Sequence, residues 1–98
     1  MKIICLCGST KFKEEYREVE ARETLKGNIV LTCGLFGHAD GIPLSEKDKE
    51  RLDDLHLMKI GLADEVIVIN VGGYFGESTK RELLYARRAR KPVSFEYD

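Results

Sequence analysis

The sequence has 98 residues, which is read as one domain with a modest core. Its 43% hydrophobic and 34% charged residues are those of an ordinary globular chain. With 16 Lys and Arg against 17 Asp and Glu, the net charge is −1, which argues against the basic stripe of a nucleic-acid polymer binder. No apolar run approaches the roughly 18 residues of a membrane helix, so no membrane partner is expected. The opening MKIICLCGST is too short for a signal peptide. The three cysteines are Cys5, Cys7 and Cys33, an odd number that allows no disulfide framework. Together these point to the reducing cytoplasm.

Four apolar runs are read as strands: Lys2–Cys7, Asn28–Leu35, Glu65–Val71 and Pro92–Tyr97. The first three are nearly continuous in Ile, Val, Leu and Cys, as in parallel sheets covered on both faces. Charged stretches of helical length lie between them. The first helix is expected over about Lys11–Lys26, capped by Ser9 or Thr10. Phe12, Tyr16, Val19 and Leu25 form its apolar side, and Gly27 sits at its C′ position. The second is expected over Ser45–Leu62, opened by a Ser45/Asp48 box. Leu52, Leu55, His56 and Lys59 share one face, with Met58 and Leu62 beside it. The third is expected over Thr79–Arg90, with Leu83, Leu84, Ala86 and Tyr85 inward and Arg87, Arg88, Arg90 and Lys91 at the negative end of its dipole.

This β-α-β-α-β-α-β order predicts a small doubly wound, flavodoxin-like α/β domain. Its four-stranded parallel sheet is expected in the order 2-1-3-4, with helices on both faces. The topological switch point then lies between strands 1 and 3, where ligands bind at the strands' carboxyl ends.

Two loops open there. Gly8-Ser9-Thr10 follows strand 1, and Gly72-Gly73-Tyr74-Phe75-Gly76-Glu77-Ser78-Thr79 follows strand 3. Both join glycine to hydroxyls at a helix start, a combination suited to phosphate or sugar oxygens. Gly8, Ser9, Thr10, Gly76, Ser78 and Thr79 are therefore candidate binding residues, with Asn70 at the end of strand 3. Neither a P-loop nor a G-x-G-x-x-G dinucleotide fingerprint is present at the required place. Glu82 stands three residues after Thr79 and has two readings. It closes a Thr-x-x-Glu capping box, or it is an oriented carboxylate at the crevice floor able to attack an anomeric carbon. Phe36-Gly37-His38-Ala39-Asp40-Gly41 follows strand 2; there His38 and Asp40 are either pocket residues or parts of a polar turn. Tyr74 and Phe75 either stack on a base or pack a partner. Cys5-Leu6-Cys7 is not a C-x-x-C pair, and His38 and His56 are isolated, so no metal or other cofactor is expected. The cysteines are read as small buried hydrophobes, with Cys7 bordering the first loop.

Gly8-Ser9-Thr10, the strand Ala63–Asn70 and the run Gly76-Glu77-Ser78-Thr79-Lys80-Arg81-Glu82-Leu83-Leu84-Tyr85-Ala86 resemble the nucleoside 2-deoxyribosyltransferase-like superfamily. That superfamily includes the 2′-deoxynucleoside 5′-phosphate N-hydrolases. The loop is also similar to the G-G-x-G-T-x-x-E loop of lysine-decarboxylase-like phosphoribohydrolases. The resemblance implies double displacement: the glutamate at position 82 attacks C1 of a (deoxy)ribose, and a second group protonates the departing base. Where the family carries an Asp on the helix before strand 3, this chain has His56, with Asp53 and Asp54 a turn earlier. His56 is thus either the proton donor or a structural histidine. The implied partner is a nucleoside or nucleotide, within a homodimer or higher homo-oligomer that completes the pocket. Two rivals stand beside this enzyme reading. One is a non-catalytic binder or sensor of a nucleotide or NAD-derived metabolite. The other is a dimerisation domain with an empty crevice.

Overall fold

The computed structural model describes residues 1–97. Four strands form one all-parallel sheet in the order β2-β1-β3-β4, where β1 is Ile3–Gly8, β2 Ile29–Leu31, β3 Glu65–Ile69 and β4 Val93–Phe95. The helices are α1 (Lys13–Leu25), the short α2 (Gly37–Asp40), α3 (Glu46–Leu62) and α4 (Glu77–Arg88), with a 3-10 turn at Val71–Gly73. The small doubly wound α/β architecture expected from the sequence is the one observed.

The central strand β1 explains the layering. It pairs with β2 from Ile3↔Ile29 and with β3 from Ile4↔Glu65 to Gly8↔Ile69. Successive side chains of a strand point to opposite faces. Ile4 and Leu6 therefore pack with Ile67, Ile69 and the α1 residues Tyr16 and Val19. Cys5 and Cys7 face the other way, with Val66, Val68, Ile60 of α3 and Leu83 and Ala86 of α4. Each such fully buried aliphatic side chain contributes on the order of 1.5–3 kcal/mol relative to exposure.

Local chemistry sets most helix ends. Helix α1 closes in a Schellman turn: Asn28 N–H donates to Glu23 O, Gly27 N–H donates to Thr24 O, and Gly27 has φ +87°. Helix α3 opens with the full Ser45/Asp48 capping box, with Asp48 N–H donating to Ser45 Oγ at 3.1 Å. Helix α4 closes in the same kind of turn as α1, with Lys91 N–H donating to Ala86 O, but the left-handed position is held by Arg90 at φ +58°.

Several expectations are corrected. Helix α1 starts at Lys13 behind Phe12, with no side-chain cap from Ser9 or Thr10, because those two residues shape the preceding turn. Leu25 is 89% exposed, while the charged Glu23 is buried in its place by Arg22, Lys26 and Asn28. Strand β2 stops at Leu31, short of Leu35, because Gly34 (φ +78°) turns the chain and Lys59 Nζ takes the Thr32 carbonyl at 2.7 Å. The inward face of α3 is His56 and Ile60, with Leu55, Met58 and Leu62 exposed. In α4, Leu83 and Ala86 are buried and Leu84 and Tyr85 exposed, since residues three apart share a helix face and the two between them turn away from it.

Candidate functional site

The carboxyl ends of β1 and β3 open into a cleft of about 560 Å³, within the range of small-molecule sites. Its wall includes Gly8, Ser9 and Thr10 from the first loop and Gly76, Ser78 and Thr79 from the second, so the two loops do meet. Gly8 is required by geometry: at φ +148° an added Cβ would lie 2.6 Å from the Ile69 carbonyl oxygen. That close approach brings the first loop against β3. Phe12 N–H donates to Ser9 O, and Lys11 N–H donates to Ser9 Oγ at 3.3 Å. Thr10 Oγ1 accepts from His38 N–H at 3.2 Å, which fixes α2 and sets His38 in the cleft wall.

The start of α4 removes one of the two readings of Glu82, the capping box. Gly76 is the N-cap, without a side-chain cap bond, and Thr79 lies inside the helix. The Thr79/Glu82 capping box is therefore absent, and Glu82 is in the second turn. The first amide to donate within the helix is Lys80, to Gly76 O at 3.0 Å. The amides of Glu77, Ser78 and Thr79 precede it, as at any helix start.

Glu82 and His56 both line the cleft floor, with Glu82 Oε1 3.9 Å from His56 Nε2 and side-chain exposures of 12% and 8%. Burial pushes the Glu82 carboxyl up to about 7, opposed by the neighbouring imidazole. For His56, burial lowers the pKa, but the hydrogen bond with Cys5 and the charge of Glu82 outweigh it, and the net shift is upward. Behind the imidazole stand the two thiols of β1. Cys7 Sγ is 3.4 Å and Cys5 Sγ 3.7 Å from His56 Nε2. The Cys7 hydrogen bond draws the Cys5 thiol down despite burial, whereas contact with Cys5 and burial push Cys7 up. The ligand atoms of Cys5, Cys7 and His56 all lie within 4.8 Å of one another. This grouping has no counterpart in linear spacing.

Two expected binding residues lie elsewhere. Asp40 pairs with Lys13 Nζ at 2.9 Å, and Asn70 is buried with its amide in two hydrogen bonds to the Tyr97 backbone. Tyr74 lines the cleft with Lys11 Nζ 3.8 Å above its ring, whereas Phe75 turns inward against Phe95. Residues that the sequence assigned to the core or to a solvated helix face also shape the cleft. Tyr16 donates its hydroxyl to Gly8 O, and Arg81 bridges α4 to Asp53 of α3 at 3.3 Å. Among the described residues, no helix is long and apolar enough to cross a membrane. No model of a known protein family matches this chain, and no curated protein matches it.

Proposed function

We propose that this protein cleaves the N-glycosidic bond of a nucleoside or nucleotide, by hydrolysis or base exchange, with Glu82 as the nucleophile at the sugar C1. The observation that carries this reading is the state of Glu82. It is a carboxylate at the floor of a cleft, and His56 is its one ion-pair partner among the described residues. A carboxylate withdrawn from water without an Arg or Lys partner is costly, and such groups concentrate at reactive sites.

The chemistry balances within the cleft. A Glu82 oxygen bonds to C1 as the C1–N bond breaks, and the electron pair leaves with the base. The base takes a proton from His56. Water then attacks C1, frees Glu82 and returns a proton to His56. The hydroxyls of Ser9 and Ser78 and the amides at the start of α4 suit a 5′-monophosphate. The free thiols Cys5, Cys7 and Cys33 fit a reducing, cytoplasmic setting. The exposed Leu55, Met58 and Leu62 of α3 offer an apolar patch for a second copy of the chain.

The test is incubation with a panel of (deoxy)nucleosides and their monophosphates while free base is followed. The wild-type chain is expected to release base and Glu82→Gln to release none. Retained activity in that variant removes Glu82 as nucleophile, and equal rates on substrates without phosphate remove the monophosphate preference.

One observation favours a second reading, a binder or sensor without turnover. His56 Nε2 is occupied by two sulfurs, so the proton donor is not free to face a leaving base. Recovery of intact nucleotide after prolonged incubation selects this reading.

A further inference from the structure

We propose that Cys5, Cys7 and His56 form a binding site for a thiophilic divalent cation of the Zn²⁺ type, with Glu82 or a cleft water completing a tetrahedron. The site does not depend on Glu82 acting as a nucleophile.

The geometry is close to that of a loaded site. With Zn–S near 2.3 Å and Zn–N near 2.0–2.1 Å, tetrahedral angles place a sulfur and a nitrogen about 3.6 Å apart. The two observed Sγ···Nε2 distances are 3.4 and 3.7 Å. All three donor atoms fall within 4.8 Å of one another. The scaffold is rigid. Cys5 and Cys7 lie on one face of the central strand, which pairs with β2 from Ile3 to Cys5 and with β3 from Ile4 to Gly8. His56 is held by the packing of α3 against that face. Two thiols hydrogen-bonded to a histidine would show similar distances. The distinguishing feature is the fourth group. Glu82 Oε1, 3.9 Å from the same nitrogen, adds an oxygen donor on the cleft side. The compact set is thus two sulfurs and one nitrogen, with Glu82 just outside it and the fourth position open on the cleft side to that carboxylate, to water or to a ligand, the pattern of three protein ligands plus a labile fourth. His56 and Glu82 line the cleft, so the ion reaches the thiols from there.

With a cleft water as the fourth ligand the charges balance; an ionised Glu82 in that place leaves one surplus negative charge. Two thiols give up two protons to solvent, and two thiolates neutralise the cation while the imidazole binds as the neutral ring. A bound ion occupies His56 Nε2 and draws in Glu82. Loading therefore silences any reaction that uses these two groups, and removing the ion restores it.

The test is Co²⁺ titration of the full-length, reduced, metal-free chain. Supporting results are one Co²⁺ per chain, intense visible bands of tetrahedral Co²⁺ with a sulfur-to-cobalt charge-transfer band, and displacement of both by Zn²⁺. The signal is expected to persist in Cys33→Ser and to vanish in the Cys5→Ser/Cys7→Ser double variant. If circular dichroism shows that the double variant does not fold, His56→Gln decides. Loss of this ligand is expected to weaken binding by more than the roughly 10–100-fold that an outer partner is worth. A weak octahedral spectrum from the wild-type chain overturns the proposal whatever the variants do. So does undiminished affinity in a folded double variant or in His56→Gln. A chain that releases base yet gives the octahedral spectrum keeps the glycosidic reading and loses this one. A tetrahedral spectrum on loading, with no base release from the metal-free chain on any substrate, does the reverse.

Discussion

The hydroxyl of Tyr16 donates to the carbonyl oxygen of Gly8 at 2.9 Å, tying the first turn of α1 to the last residue of β1. Burial keeps the phenol protonated well beyond neutral pH, so it remains a donor. The bond fixes the carbonyl of the residue that opens the cleft. Tyr16→Phe is expected to cost about 1 kcal/mol in urea unfolding. Gly8→Ala is expected to cost roughly 3 kcal/mol or more, because its Cβ would overlap the Ile69 carbonyl at 2.6 Å. Equal effects of the two variants would show that β1 and β3 can move apart freely at this point.

On the proposed glycosidic reading, Glu82→Gln separates reaction from folding. The substitution keeps the side chain's shape and removes a carboxylate that burial disfavours when charged. Base release should fall to background while the melting temperature holds or rises. A fall of several degrees would instead make Glu82 a structural partner of His56.

Glu23 predicts an acid-sensitive contribution to stability. It is buried, and although burial raises its pKa, hydrogen bonds from Arg22, Lys26 and Asn28 outweigh this and hold it below the ordinary value of 4.5. For a carboxyl whose folded-state pKa is depressed, the stabilisation is present above the unfolded pKa and is lost as pH falls through the folded one. Glu23→Gln is therefore expected to cost about 1–2 kcal/mol near pH 7, since the Arg22 and Lys26 partners are largely solvated. The gap from wild type should close on titration below pH 4.5. A gap that stays constant with pH would contradict this account.

Arg90 sits in the left-handed position that ends α4, at φ +58°. A side chain there is strained by roughly 1–2 kcal/mol, offset in part by glycine's greater unfolded-state freedom. Arg90→Gly is expected to raise stability by about 0.5–1 kcal/mol in denaturant unfolding. Destabilisation would reveal a contact of the arginine that outweighs its backbone.

Asn70→Ala should loosen the end of the chain. Asn70 Nδ2 donates to Tyr97 O at 3.0 Å, and Tyr97 N–H donates to Asn70 Oδ1 at 2.9 Å. Losing both should cost roughly 1–3 kcal/mol, with faster amide exchange at Tyr97 and little change in ligand affinity. A large loss of affinity with unchanged stability would return Asn70 to the binding surface.

The fold was legible because its signals are periodic and local. Continuous Ile, Val, Leu and Cys runs mark two-faced strands, and Ser45 with Asp48 marks the start of α3. The meeting of Gly8-Ser9-Thr10 with Gly76–Thr79 followed from strand order alone. Other features depend on three-dimensional competition. Thr79 looked like a cap because serine and threonine cap helices, but the chain already turns into α4 at Gly76. Asp40 looked available until α2 brought it to Lys13. The sequence places Leu55 and His56 on one face of α3 with Met58 and Leu62 beside it, but the helix turns only His56 and Ile60 onto the sheet and leaves the three apolar residues outside. The thiol–imidazole cluster was invisible for a further reason: its members come from β1 and α3, and only the pairing of strand parity with helix phase unites them.

That parity has a consequence for how the chain tolerates length changes near its start. Cys5 and Cys7 alternate along β1 with Ile4 and Leu6, so the strand keeps its reactive groups on one side and its inert ones on the other. A single-residue insertion or deletion that slid β1 by one position would exchange the two sets. Both sets are nonpolar enough to bury, but the slip would also bring Cys7 or Ser9 to the place of Gly8, where a Cβ meets the Ile69 carbonyl at 2.6 Å. Aliphatic side chains would then stand beneath His56 and Glu82, and sulfur would lie under Tyr16. Register of β1 is therefore held twice over, by the glycine that lets the strand end close against β3 and by the parity that sets both thiols beneath His56.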